Sequence, residues 1–116
     1  MPLSEHGDYE NPRKSPYTVE RYESGWEMLY MRKLEIDKTV KKWTKNHGIV
    51  IEYITEAGNK RGYKPDFLVE KIDGQKEIHE VKGGQFLRNP DTIRKHERAK
   101  LWCKQRGMNF IIISKN

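Results

Sequence analysis

The chain contains little cysteine and no long hydrophobic run. Its single cysteine, Cys103, cannot form an internal disulfide, and one thiol alone does not build a structural zinc site. No segment approaches the ~20 consecutive apolar residues of a membrane-spanning helix, and residues 1–16 lack the apolar centre of a signal peptide. We therefore expect a cytoplasmic protein, in a reducing compartment, without a membrane partner.

The composition is that of one small basic domain. Charged and apolar residues each make up 34% of the 116 residues, so the apolar ones must be concentrated in a few elements to form a single core. Lys and Arg number 23 against 17 Asp and Glu, a net charge of +6 that favours a polyanionic partner such as nucleic acid. Residues 1–22 carry Pro2, Pro12 and Pro16 among polar residues. We interpret them as a polar N-terminal arm, followed by a single domain over residues 23–116.

The first helix is predicted to begin after Ser24, which can act as its N-cap. Beyond it the pattern leaves two possibilities. Either the helix kinks, or Asp37 caps a second helical segment that carries Val40 and Trp43 and ends at Gly48. The sequence does not distinguish these alternatives.

The rest of the chain alternates between predicted strands and a second helix. Strands are expected over residues 49–54, 63–71, 75–82 and 110–113, and the helix over 89–106. The order α-β-β-β-α-β predicts an α/β fold, in which a mixed four-stranded sheet lies between helices as an αβα sandwich.

The hairpin formed by the second and third strands carries the chemistry. Glu80 and Lys82 lie two residues apart on one strand, so both project from the same face. If the connecting loop pairs Lys71 with Gln75, residue numbers across the hairpin sum to 146 and Asp66 lies opposite Glu80. A shift of one residue would move Asp66 to the other face, which makes this register a test of the site.

Two opposed carboxylates suggest a bound cation. They would repel each other by about a few kcal/mol at an effective dielectric constant of roughly 20, and a divalent cation would remove that conflict. Mg²⁺ prefers oxygen ligands, and we expect Mn²⁺ to substitute for it. We expect Asp66, Glu80 and the backbone carbonyl of Val81 to bind the metal. Lys82 would orient or help deprotonate the attacking water in phosphodiester hydrolysis.

An ordinary cross-strand charge cluster on a solvated sheet face is the alternative explanation for Asp66, Glu80 and Lys82. Two neighbouring features favour a functional site. Pro65 removes a hydrogen-bond donor from the strand, which indicates a bend or an edge beside the site. The glycines at 83–84 end the next strand without side chains, so a phosphate or another backbone could approach closely.

These residues form a pattern that resembles the PD-(D/E)XK, or restriction-endonuclease-like, nuclease superfamily. The sequence YKPDFL at 63–68 is followed by EVKG at 80–83, and SGWE at 24–27 resembles the first-helix motif of that superfamily. The resemblance extends from about residue 22 to residue 114. Within the superfamily the chain looks most like TnsA-type transposon-end endonucleases and phage and archaeal Holliday-junction resolvases.

The resemblance implies a role for each matching residue. Asp66 and Glu80 would be metal ligands, Lys82 the catalytic lysine and Glu27 a supporting carboxylate that completes the metal site. Glu27 is also expected from the residues alone, because it falls on the apolar side of the predicted helix, where an idle carboxylate is costly.

We therefore expect a magnesium-dependent DNA endonuclease, with a Holliday-junction resolvase as one alternative and a catalytically silent nucleic-acid-binding module as the other. A homodimer would allow two sites to cut two strands, and a partner protein could supply target specificity. Several side chains are candidates for DNA contacts, although charged side chains on helices are often simply solvated. These candidates are Gln85, Arg88, Arg94, Lys95, Lys60 and Arg61.

Overall fold

A computed structural model describes residues 5–115 of the chain. Within that range the chain forms eight β-strands and two α-helices. In order they are β1 (Gly7–Glu10), β2 (Val19–Tyr22), α1 (Gly25–Ile36), β3 (Val40–Thr44), β4 (Ile51–Ile54), β5 (Lys60–Tyr63), β6 (Phe67–Lys71), β7 (Lys76–Gly83), α2 (Pro90–Gln105) and β8 (Asn109–Lys115), with a 3₁₀ helix at Gly84–Phe86 between β7 and α2.

A four-stranded sheet in the order β3-β6-β7-β8 forms the centre of the fold. The β3-β6 and β6-β7 pairs are antiparallel and the β7-β8 pair is parallel, so the sheet is mixed. The α1 face buries Phe67, Val69 and Trp43 against Met31 and Leu34 of the helix. Helix α2 covers the other face. This confirms the predicted α/β class with a mixed four-stranded sheet between two helices.

Strands β4 and β5 form a separate two-stranded sheet that packs against α2. Their contact is a small core in which Ile51 and Tyr63 meet Ala99 of the helix. The predicted strand at 49–54 is therefore real, but it does not join the central sheet. Pro65 lies between β5 and β6 and divides the single strand predicted over residues 63–71, as expected for a residue that cannot donate to a ladder.

The predicted helical segment after Asp37 is wrong, because residues 40–44 form strand β3 at the edge of the central sheet. Asp37 ends α1, and its carboxylate accepts hydrogen bonds from the backbone and hydroxyl of Thr39 in a tight turn. Val40 and Trp43 are buried against α1 and the central sheet. Tertiary burial of a β-branched and an aromatic side chain therefore prevails over the helical spacing.

The predicted polar arm is also wrong over its described part, because residues 7–22 form the hairpin β1-β2. Both Pro12 and Pro16 lie in the connecting loop, so neither interrupts a strand. The Tyr9 ring packs edge-on against Trp43, with ring centroids 6.1 Å apart. Aromatic contact with the core thus fixes a segment that composition alone marks as polar. Pro2 lies outside the described residues.

Local capping signals agree with the prediction. The Ser24 hydroxyl accepts a hydrogen bond from the Glu27 backbone at the start of α1, and Asn89 caps α2 with a proline at its first turn. Gly107 and Gly74 adopt positive φ angles of 68° and 88°, at the end of α2 and in the β6-β7 turn. Among residues 5–115 no helix is both long and apolar enough to cross a membrane.

Candidate active site

The β6-β7 hairpin has the predicted register. Phe67 pairs with His79 and Leu68 with Ile78, so the residue numbers in each pair sum to 146. Asp66 immediately precedes β6, and its backbone N–H donates to Oε1 of Glu80 over 3.2 Å. The two acidic residues therefore meet as the hairpin register predicts.

Glu80 is buried and is held by one of its two carboxylate oxygens. Oε1 accepts the Tyr63 hydroxyl at 2.6 Å as well as the Asp66 N–H. Within residues 5–115 no hydrogen bond reaches Oε2. Burial, together with the adjacent Glu80 charge, raises the pKa of Tyr63, so its hydroxyl stays protonated and donates. Tyr63 thus fixes the glutamate while leaving one oxygen for another ligand.

Asp66 is the most perturbed acid of the site. Its Oδ2 accepts the Val81 N–H at 2.9 Å. Burial and the neighbouring charges of Glu80 and Glu27 together raise the pKa of Asp66 to about 7, although Lys45 acts in the opposite direction. When Asp66 and Glu80 are both ionised, the neighbouring positive charge therefore does not balance their negative charges.

The backbone carbonyl of Val81 has lost its usual partner in the ladder. Lys71 N–H donates to Gln75 O at 2.8 Å, so the pairs that exchange hydrogen bonds are 71/75, 69/77, 67/79 and, by continuation, 65/81. Pro65 has no N–H to donate. The N–H and C=O of one strand residue point to the same edge, so the Val81 carbonyl points toward Asp66, as its N–H does.

Two lysines lie on elements beside the acids, although neither forms an ion pair with Asp66 or Glu80 among the described residues. Lys82 lies on the same face of β7 as Glu80, and Lys95 extends from α2 with its Nζ 5.0 Å from the centre of the Tyr63 ring. Burial lowers the pKa of Lys95, and so does the positive charge of Lys82. The negative charges of Glu80 and Asp66 raise it. Lys95, predicted only as a DNA contact, is therefore part of the site.

Glu27 reaches the site from the first turn of α1, as predicted. Its Oε1 lies 2.9 Å from Nζ of Lys45, which in turn lies 3.8 Å from Oδ1 of Asp66. Oε1 also accepts the Glu23 N–H at 2.9 Å, and the Ser24 hydroxyl accepts the Glu27 N–H. This arrangement is close to a capping box, so helix capping accounts for part of the position of Glu27.

Lys45 was not identified from the sequence. Residue 45 fell inside the segment predicted to be helical, and its approach to Glu27 and Asp66 depends on β3 pairing with β6. Its backbone N–H donates to Oε1 of Glu20, a buried residue of the N-terminal hairpin. No local pattern could have revealed a contact that joins four separate segments.

The remaining candidates for DNA contacts lie outside this cluster. Gln85, Arg88 and Arg94 are exposed on the 3₁₀ helix, the following loop and α2. On the β4-β5 hairpin, Nζ of Lys60 lies 3.8 Å from Oε1 of Glu52, and both side chains are exposed. The Arg61 guanidinium donates to the Lys60 carbonyl. A DNA role for these residues stays a prediction.

The oxygen donors at this site suit Mg²⁺. Within residues 5–115 no three His, Cys, Asp or Glu side chains gather closely enough to hold a metal by themselves. A cation would therefore depend on Asp66, Glu80, the Val81 carbonyl and oxygens from water or substrate, which is the kind of ligand set that Mg²⁺ takes. Cys103, the one thiol, is buried and its pKa is raised to about 11, so it offers no thiolate.

Comparison with known families identifies the family of the chain and supports its fold. The model of the TnsA-like endonuclease N-terminal domain matches residues 37–115, more than half of the chain. The matched segment contains Asp66, Glu80, Lys82 and Lys45, whereas Glu27 lies upstream of it. No curated protein matches the chain. The chain belongs to the TnsA-like endonuclease N-terminal family.

Proposed function

We propose that this protein is a magnesium-dependent DNA endonuclease that hydrolyses phosphodiester bonds and whose active site is formed by Asp66, Glu80 and Lys82. One observation carries the proposal: the buried carboxylate of Glu80 and the partly buried carboxylate of Asp66 meet at a sheet end where a backbone carbonyl has no ladder donor. Family membership supports a nuclease. The largely buried, like-charged pair favours a bound cation over an idle charge cluster.

Each residue of the proposed site would have a distinct role. Asp66, Glu80 and the Val81 carbonyl would hold Mg²⁺, with Tyr63 fixing the glutamate. When bound, Mg²⁺ lowers the pKa of water and offsets charge on the phosphate oxygens. Lys82 would hold the attacking water and stabilise negative charge that develops on the phosphate.

DNA is the proposed polyanionic substrate, since the family takes its name from an endonuclease and the site is surrounded by cations. Lys95 would bind a phosphate next to the scissile one, because it lies beside Lys82 and near both acids. Exposed cations farther out would contact the backbone without reading sequence. These are Arg88, Arg94, Lys60 and Arg61, joined by the polar side chain of Gln85. A homodimer or a partner protein would supply target choice.

Cleavage of three DNA forms tests the proposal. Supercoiled plasmid, linear duplex and a four-way junction are incubated with Mg²⁺ and with wild type, Asp66→Asn or Lys82→Ala. We expect at least one form to be cut by wild type and neither variant to cut it. The matched controls are Glu97→Gln and Lys76→Ala, which remove the same charges at exposed positions. Equal activity in wild type and both site variants would refute the assigned site.

A silent DNA-binding module is the second candidate, and one observation favours it. Lys45 already provides a positive charge to Glu27 and Asp66, so part of the acidic cluster is neutralised without a metal. This function predicts DNA binding by wild type that is unaffected by Mg²⁺, with no cleavage of any of the three forms. Preference for the junction among cleaved forms would instead identify a resolvase.

A further inference from the structure

Glu27 and Asp66 share a cation that the chain itself supplies. Nζ of Lys45 lies 2.9 Å from Oε1 of Glu27 and 3.8 Å from Oδ1 of Asp66. The lysine side chain is only 14% exposed. Its ammonium also lies 5.0 Å from the centre of the Phe67 ring. This is a fixed, largely buried charge and not a mobile surface lysine.

Three parts of the fold hold Lys45 in this position. Strand β3 pairs with β6 so that Thr44 lies opposite Leu68, which brings the next residue to the end of β6 where Asp66 lies. The Lys45 N–H donates to Oε1 of Glu20 at 3.0 Å. Glu20 is 1% exposed and also accepts the Ser15 hydroxyl. The N-terminal hairpin therefore fixes the backbone that presents the ammonium.

The position of Lys45 has a consequence for metal binding. In two-metal sites the ions lie about 3.5–4 Å apart and share carboxylate ligands. A second divalent cation here would need the oxygens of Glu27 and Asp66 that face Lys45, and it would be repelled by the ammonium at short range. Lys45 forms no ion pair with Glu80 among the described residues, and no hydrogen bond there reaches Oε2 of Glu80, so this oxygen stays available to a cation.

We propose that Lys45 takes the place of a second metal ion, so that the site binds one divalent cation. The inference rests on the proposed function in taking Asp66 as a metal ligand. Lys45 acts as a positioning residue: it neutralises Glu27 and one side of Asp66 and directs the metal to the side of Glu80. Glu27 keeps its hydrogen bond from Glu23 N–H without Lys45, so removing the lysine leaves a second acidic position ready.

Counting bound Mn²⁺ tests this inference without any measurement of activity. Mn²⁺ is titrated into the full chain, and free ion is followed by electron paramagnetic resonance, with calorimetry as a second count. We expect one ion per chain for wild type and for Lys45→Arg, which keeps the charge. Lys45→Met keeps the apolar stem and loses the charge, and it should bind two. Lys42→Met removes the same charge from an exposed position of β3 and should bind one.

Two results would overturn the inference: a wild-type count of zero or two ions, or a count of one for a folded Lys45→Met. Circular dichroism checks that each variant is folded. If Lys45→Met does not fold, the wild-type count decides between one ion and two. Failure of the proposed function is separate, since a chain that binds one ion and cleaves no DNA would keep this inference and lose the endonuclease.

Discussion

Strand β7 carries two polar clusters, one on each face, and they differ in how completely they are paired. On the α1 face, His79 lies between the Tyr30 hydroxyl at 2.6 Å and Glu77 Oε1 at 2.8 Å. Because a carboxylate only accepts, Nε2–H of His79 donates to Glu77 and Nδ1 accepts from Tyr30. Both ring nitrogens therefore have partners.

On the opposite face, Glu80 and Asp66 are brought together with like charges. Burial and the charge of Glu80 raise the pKa of Asp66 to about 7, whereas burial lowers the pKa of His79, so that the histidine is neutral and hydrogen-bonded. A polar network in which every group has a hydrogen-bond partner contributes to a unique fold. Two like charges held together destabilise the fold, and a bound ligand of opposite charge can relieve that cost. His79 and Glu80 are adjacent on β7, but they have different surroundings because they face different helices and different side chains.

The largest expected effect comes from removing the negative charge of Asp66, which lies next to that of Glu80. Asp66→Asn keeps the shape of the side chain and an oxygen for the Val81 N–H, but removes the charge. We expect DNA cleavage to fall by roughly 10²- to 10³-fold or more. Without divalent cation at pH 8, where the raised pKa makes ionised Asp66 a cost to the fold, the free energy of unfolding should rise by about 1 kcal/mol.

Urea unfolding of Asp66→Asn beside Glu97→Gln measures this gain. A loss of stability in Asp66→Asn, or a similar gain in the control, would show that the site is not a point of electrostatic conflict.

A smaller effect is expected on the paired face. Tyr30→Phe removes the hydroxyl and leaves Nδ1 of His79 buried without a donor, which should lower the free energy of unfolding by about 1–3 kcal/mol. The cleavage rate of the folded protein and its Mn²⁺ count should not change. Tyr17→Phe, at an exposed tyrosine, is the control and should leave stability unaltered. A Tyr30→Phe protein that folds normally but loses activity would contradict the division between the two faces.

The smallest effect concerns His96, which lies under the site with its Nε2 buried and without a hydrogen bond among the described residues. Burial and the charges of Lys95, Lys82 and Lys100 together lower the pKa of His96 from 6.5 to about 4. The unfolded chain therefore takes up this proton first. The contribution of His96 to stability is complete above pH 6.5 and is lost as the pH falls toward 4.

His96→Phe tests this dependence, because it keeps the ring contacts with Tyr63 and Phe110 and cannot titrate. Relative to the variant, wild type should lose on the order of 1 kcal/mol between pH 7 and pH 5, measured by thermal unfolding in matched buffers. His47 and His79 also have lowered pKa values, but they titrate in both proteins and cancel in the comparison. A difference that is constant with pH would mean that His96 takes up its proton as readily in the fold as in the unfolded chain.

The sequence predicted those parts of the site that depend on local rules. The three-residue turn with Gly74 determined the hairpin register, and the register brought Asp66 to Glu80. Ser24 determined the start of α1 and with it the position of Glu27. Turn and capping geometry act over a few residues, so they can be inferred from one sequence.

Contacts between distant segments could not be predicted in this way. Val40 and Trp43 have a spacing that fits a helix, and only pairing with β6 makes them a strand. Lys45 and Lys95 reach the acids by tertiary packing. The N-terminal hairpin is held by Tyr9 on Trp43 and by backbone hydrogen bonds to Glu35, neither of which composition reveals.

Pro65 has a chemical effect on the site that no neighbouring side chain can reverse. Any other residue at this position would restore an N–H opposite Val81, and the carbonyl could then complete the sheet instead of binding the proposed metal. The ring makes that closure chemically impossible, whatever side chains change nearby. Pro65→Ala is therefore the smallest change that offers the Val81 carbonyl a ladder donor in place of the proposed metal.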